Sequence, residues 1–87
     1  MHYFKRYWNE PRADPYDAWG CSWWYFETNN LGVVLRHIEV YDLGPKLRYS
    51  DSHRVDEFGC LSEKPLAVAE FAGFEIQKVE FEQVWTD

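Results

Sequence analysis

Hydrophobic and polar positions alternate over two neighbouring stretches, Val33–Tyr41 and Lys46–Ser50. In the first, Val34, Arg36, Ile38 and Val40 fall on one side of an extended chain and Leu35, His37, Glu39 and Tyr41 on the other. The first set reads as the core face, with Arg36 either snorkelling to a sheet edge or meeting a carboxylate. The second set reads as half exposed. Between the two stretches, Asp42-Leu43-Gly44-Pro45 supplies a glycine for positive φ and a proline for a fixed one, which predicts a hairpin. Two more extended runs precede it. His2–Trp8 sets Tyr3, Lys5 and Tyr7 against Phe4, Arg6 and Trp8. Ser22–Thr28, the most aromatic run of the chain, sets Trp24 and Phe26 against Trp23 and Tyr25. Asn29-Asn30 and Gly32 turn the chain between 22–28 and 33–41, so that 22–28, 33–41 and 46–50 form an antiparallel meander.

The pattern changes after Ser50. Residues 50–60 are polar and read as a long loop or a frayed strand extension, and the proline-interrupted Asn9–Asp17 reads as a loop. Pro65 suits the first position of a short helix near 66–71, which Gly73 stops. Residues 74–77 read as a short edge strand. Phe81, Val84 and Trp85 recur at i, i+3 and i+4, one face of a helix over 78–86 with Glu80 and Glu82 in its first turns. The expected fold is therefore α+β. An antiparallel sheet of four to five strands (2–8, 22–28, 33–41, 46–50 and the edge strand 74–77) carries a short helix near 66–71. The C-terminal helix 78–86 packs on one face, in a single domain over 1–87.

Composition narrows the classes of function. A chain of 87 residues needs a dense core, and 20% Phe, Trp and Tyr can provide it. The net charge of −6 arises wholly in residues 56–87, where only Lys64 and Lys78 oppose the acids. Such a surface repels nucleic acid and anionic lipid and attracts a basic protein. Two cysteines, Cys21 and Cys60, are too few for a disulfide framework. Free thiols in a cytoplasmic protein are the simplest account, with a single bridge left open. The N-terminus lacks the apolar core of a signal peptide, and no run approaches the ~20 apolar residues of a membrane span.

Candidate chemistry is sparse. Cys21, Cys60, His37 and His53 lack the close spacing of a metal site, so no metal and no cofactor are expected. Cys60 beside His53 could form a nucleophile–base pair, but nothing nearby supplies an oxyanion hole. His37 and Glu39 on one strand with Arg48 on the next would suit a metal-free ribonuclease: a base, an acid and a phosphate-binding arginine. The acidic balance argues against RNA as a substrate. The surplus aromatics argue for an interface instead. Among Trp19, Trp23 and Tyr25, some are expected to be exposed beside Asp14 and Asp17.

Four motifs, Tyr3-x-Lys5-x-Tyr7-Trp8, Arg36-x-Ile38-Glu39-Val40-Tyr41 with Gly44, Leu61-Ser62-Glu63-x-Pro65 and Phe81-Glu82-x-Val84-Trp85, span nearly the whole chain. In this order the chain resembles an uncharacterised family of small bacterial domains, of the kind seen in toxin-immunity proteins. The resemblance implies a curved antiparallel sheet with a C-terminal helix, and no activity, cofactor or catalytic residue. The chain departs from the pattern at Arg6, in the aromatic region 19–26 and at Gln77, where a serine cap would be usual.

These features lead to one expectation: a small acidic binding protein that neutralises a cognate bacterial toxin, a nuclease with a basic cleft. The partner-binding residues would be Asp14, Tyr16, Asp17, Trp19, Trp23, Tyr25, Asp51, Asp56 and Glu57. The alternatives are the ribonuclease of His37, Glu39 and Arg48, and an adaptor domain. The protein would be a monomer or a weak homodimer through strand 22–28.

Overall fold

A computed structural model describes residues 1–87 and has an α+β fold. The strands are β1 (His2–Trp8), β2 (Ser22–Thr28), β3 (Val34–Tyr41), β4 (Lys46–Tyr49) and β5 (Glu75–Ile76). They form one antiparallel sheet in the order β4-β3-β2-β1-β5. The predicted meander thus extends to β1, and the expected edge strand pairs with β1 through two residues. Helix α1 (Val68–Phe71) is a single turn, continued by a 3-10 turn over Ala72–Phe74. Helix α2 (Lys78–Thr86) begins after Gln77, which makes no side-chain capping bond, and follows the predicted 78–86.

Both faces of the sheet are covered, which answers the two-sided aromaticity of β2. On one face Tyr3, Tyr25 and Ile38 are buried beneath Phe81 of α2, with Val40, Ile76, Val84 and Trp85 packed around them. On the other, Phe4, Phe26, Tyr41, Leu47 and Tyr49 form a second core with Val34 and Leu61. Loops and α1 roof that core, bringing in Trp19, Phe58, Leu66 and Phe71. Arg36 lies on the α2 face and meets carboxylates, the second of its two expected fates. Lys46 and Arg48 point the same way: Lys46 Nζ donates to the Val84 carbonyl at 3.1 Å, and Arg48 Nε to that of Trp85. These bonds satisfy carbonyls at the open end of α2, where positive charge also suits the helix dipole.

Three expectations are corrected. Val34 does not join Ile38 and Val40: the register shifts between Glu27 and Thr28, so that Thr28 faces Val34 and Leu35 is the extra residue. That bulge turns Val34 to the opposite face. His37 and Glu39 are not half exposed but buried, because residues 50–62 fold over their side of the sheet. Gly44 has no positive φ, which falls instead at Gly20 and Gly32. Gly44 is needed for space, since a Cβ there would meet the ring and Cβ of Trp19.

Candidate protein-binding surface

The loop between β1 and β2 and the loop after β4 are joined side by side over the Tyr41 end of the sheet. Arg12 makes the junction. Its Nε donates to Asp14 Oδ2 at 2.9 Å, its Nη1 to the Tyr41 hydroxyl at 3.3 Å, and its Nη2 to the Phe58 carbonyl in the other loop. The guanidinium also stands over the rings of Tyr16 and Trp19. Tyr16 and Trp19 stack at 4.6 Å between centroids, and both close on Phe58, at 5.2 and 5.4 Å. One cation and three aromatic rings therefore fix two irregular segments against each other.

Each loop is also held from within. The Asp14 carboxylate accepts the Tyr16 N–H and that of Asp17 accepts the Ala13 N–H, at 2.8 and 2.9 Å. The second bond helps to hold Ala13 at a φ of 60°, an unusual conformation for a residue with a Cβ. Burial works to raise the Asp14 pKa, but the Arg12 bond leads the effects that bring it below the ordinary range. In the second loop, Asp56 Oδ1 accepts from Phe58 N–H, Gly59 N–H and the Tyr49 hydroxyl, at 2.8, 3.0 and 2.8 Å. Burial again pushes this carboxyl up, and those donors with His53 outweigh it and bring it down. Ser50 bridges to His53 and Val55 to Cys60, closing the loop on itself.

Of the expected partner-binding residues, Asp14, Tyr16, Asp17, Trp19, Asp51, Asp56 and Glu57 lie in these two joined loops. Asp56 is turned inward, whereas Asp51 and Glu57 are exposed. One residue is a correction, and a second, though exposed, is set apart from the loops. Tyr25 is buried under α2 and unavailable to a partner. Trp23 is 38% exposed but lies on the α2 face, packed on Tyr7 beneath Lys5. The alternation along β2 separates both from the Trp19 side. Arg12 and Phe58 were missed. Arg12 is the only cation among Glu10, Asp14 and Asp17, and Phe58 the only aromatic residue in the polar 50–60 stretch. Each contrast was a usable signal.

The ribonuclease constellation is not brought together. His37 and Glu39 are adjacent and buried: His37 Nε2 contacts Glu39 Oε2 at 2.9 Å, and Tyr41 donates to Glu39 Oε1 at 2.6 Å. The Ser62 N–H donates to His37 Nδ1 at 3.3 Å, so the network assigns the ring proton to Nε2. Burial first, and then the Glu39 bond, raise the Tyr41 pKa. Arg48 pairs with Ile38 and stands on the opposite face. A shallow cleft of about 300 Å³ does open between the loops, with Arg12, Tyr41, Glu39, Phe58 and Cys60 among its lining. Cys21 and Cys60 are both free thiols. No group of three or more His, Cys, Asp and Glu side chains is gathered as a metal would require. No helix is long and apolar enough to cross a membrane.

Comparison with protein-family models, with curated proteins and with solved structures gave no match.

Proposed function

We propose that the chain is a protein-binding module of the immunity type, which neutralises a basic partner such as a nuclease toxin by covering its cationic cleft. The supporting observation is the internal use of the two loops' own cations. Arg12 is consumed by Asp14, Tyr41 and Phe58, and Arg54 by Asp51. Glu10, Asp17 and Glu57 are left on the exposed surface around a fixed aromatic cluster. Acidic groups speed the approach of a cationic partner, and pre-ordered rings at the centre slow its release. Joining the loops in advance also lowers the entropy lost on binding.

The test is co-purification with the product of the neighbouring gene, followed by association kinetics. Glu10→Lys and Glu57→Lys should together slow association by about tenfold at low salt, with less effect at high salt. A neighbour that is no toxin, together with failure of this chain to protect cells from any, overturns the proposal.

A further inference from the structure

One apolar cavity belongs neither to the joined loops nor to the buried His37–Glu39 pair. It lies on the Phe4 face of the sheet and has a volume of about 250 Å³, lined by Arg6, Trp8, Trp24, Phe26, Leu66 and Phe71. An apolar cavity of ~150 Å³ accommodates benzene, so this one has room for a substituted ring or a fused pair. Its walls are fixed. The Trp24 indole lies flat on His37, 5.3 Å between centroids and 16° between planes, and its N–H donates to Ser22 Oγ at 2.8 Å. Phe26 and Phe71 meet edge to face at 5.7 Å. Leu66 is tied to β3's approach by its N–H on the Gly32 carbonyl at 2.8 Å, a closeness that Gly32 alone permits. Trp8 is half exposed and leaves the cavity open to solvent.

Arg6 gives this cavity a charge. Arg12, Arg36, Arg48 and Arg54 each donate hydrogen bonds within the protein, and Arg6 donates none. Its guanidinium is nonetheless held, over Phe71 at 5.1 Å and over Phe74 at 4.8 Å. A guanidinium stacked on rings keeps its N–H edge available, and that edge matches a carboxylate in a two-bond fork. An aromatic slot with one fixed, unpaired cation in its wall is complementary to an anion with a flat apolar body.

We infer that this cavity binds a small aromatic carboxylate, with its ring system between Trp24 and Phe71 and its carboxylate on Arg6. The site shares no residue with the two acidic loops, so it stands or falls independently of the protein-partner proposal.

The probe is 2-naphthoate, titrated into the isotope-labelled full chain while the indole N–H signals and the Arg6 Nε–H are followed by NMR. Saturable shifts are expected at Trp8, Trp24 and Arg6. The neutral 2-naphthamide and the aliphatic octanoate should each bind about tenfold more weakly, the loss of a charge-assisted fork or of ring stacking. Arg6→Gln should remove most of the roughly tenfold preference for naphthoate over the amide. Equal binding of acid and amide, or of octanoate and naphthoate, overturns the proposal. So do shifts centred on Trp19, Trp23 or Trp85, and so does the absence of saturation by about 5 mM ligand. The comparison of acid with amide needs only the unmodified chain, so it decides the matter even if Arg6→Gln folds poorly.

Discussion

Arg36 of β3 and Glu27 of β2 face each other across the strand pair in a two-bond fork, Nε to Oε1 at 2.8 Å and Nη2 to Oε2 at 2.9 Å. The same Nη2 reaches Glu82 of α2, and the guanidinium lies over Phe81 and Trp85 at 4.9 and 4.8 Å. One side chain thus ties two strands to the helix that covers them. The Arg36 bond, acting against burial, lowers the Glu27 pKa from its ordinary 4.5. A lowered carboxyl contributes stability that is present above its unfolded value and lost as pH falls through the folded one. Arg36→Met should therefore cost about 3 kcal/mol, because it leaves a largely buried carboxylate without its partner. In thermal melts the difference between Arg36→Met and the parent chain should be full at pH 7 and shrink below about pH 4.5. A difference that does not change with pH would remove the ion pair as its cause.

Arg12 acts on a smaller scale, because it joins loops rather than strands. Arg12→Met keeps an unbranched side chain of similar length but removes both the guanidinium over Tyr16 and Trp19 and the donor to the Phe58 carbonyl. The expected result is local opening: amides of Asp56–Gly59 should exchange about tenfold to a hundredfold faster, while those of β2 and β3 stay protected. Exchange that rises equally across the sheet would show that Arg12 supports the whole fold and not the loop junction alone.

What could be read from the sequence was what neighbours in the chain decide. The limits of β1, β2 and α2 follow from period-2 and i, i+3, i+4 patterns bounded by turn residues, and the structure reproduces them. What escaped depends on distant residues. Nothing around Glu27 and Thr28 marks the bulge that turns Val34 away from Ile38. His37 and Glu39 look like a wet face because their cover comes from an aperiodic loop reaching Ser62. Trp19 and Phe58 are far apart in the chain and share no pattern, so two separate loops could be proposed but not the Arg12 junction between them. The alternation along β2 already puts Trp23 and Tyr25 on the face opposite Trp24 and Phe26, and because Trp24 and Phe26 pack on the Trp19 side, Trp23 and Tyr25 cannot.

Gly44 supplies a direct test of packing over backbone conformation. With an ordinary φ it can accept a side chain as far as the backbone is concerned, but its Cβ would collide with Trp19. Gly44→Ala should cost about 1–3 kcal/mol by overpacking and shift tryptophan emission as the Trp19 ring moves. Gly73→Ala is the control, since a Cβ there meets nothing within 4 Å, and it should be neutral or slightly stabilising. If the two substitutions proved equally mild, the Trp19–Gly44 contact would be unimportant to stability.

Thr28 sits at the bulge with no exposed surface, and its Oγ1 has no hydrogen-bond partner. A buried hydroxyl left unpaired loses its solvation without compensation. Thr28→Val keeps the shape and removes that polar atom, so chemical denaturation should show a gain of about 1 kcal/mol. A loss of similar size would mean that the hydroxyl is satisfied after all.

The buried pair His37 and Glu39 separates an interior network from a catalytic one. His37 is 1% exposed and Glu39 5%, and each is already bonded: His37 to Glu39 and the Ser62 N–H, Glu39 to His37 and Tyr41. A general base must reach the proton it abstracts; His37 is enclosed, and Glu39, at the wall of the shallow cleft, has both carboxylate oxygens already bonded. Arg48, on the far face, spends its donors on the Trp85 and Asp87 carbonyls. His37→Ala should therefore act on stability, by about 2–4 kcal/mol, because it opens a cavity and leaves the Glu39 carboxylate short of a donor. Arg48→Ala should cost about 1 kcal/mol by releasing the end of α2. Neither should alter the rate at which the pure protein degrades RNA, which is expected to equal the buffer blank. Cleavage above the blank that both substitutions abolish at a temperature where both variants remain folded would reverse this assignment, because only a shared active site links groups on opposite faces of the sheet.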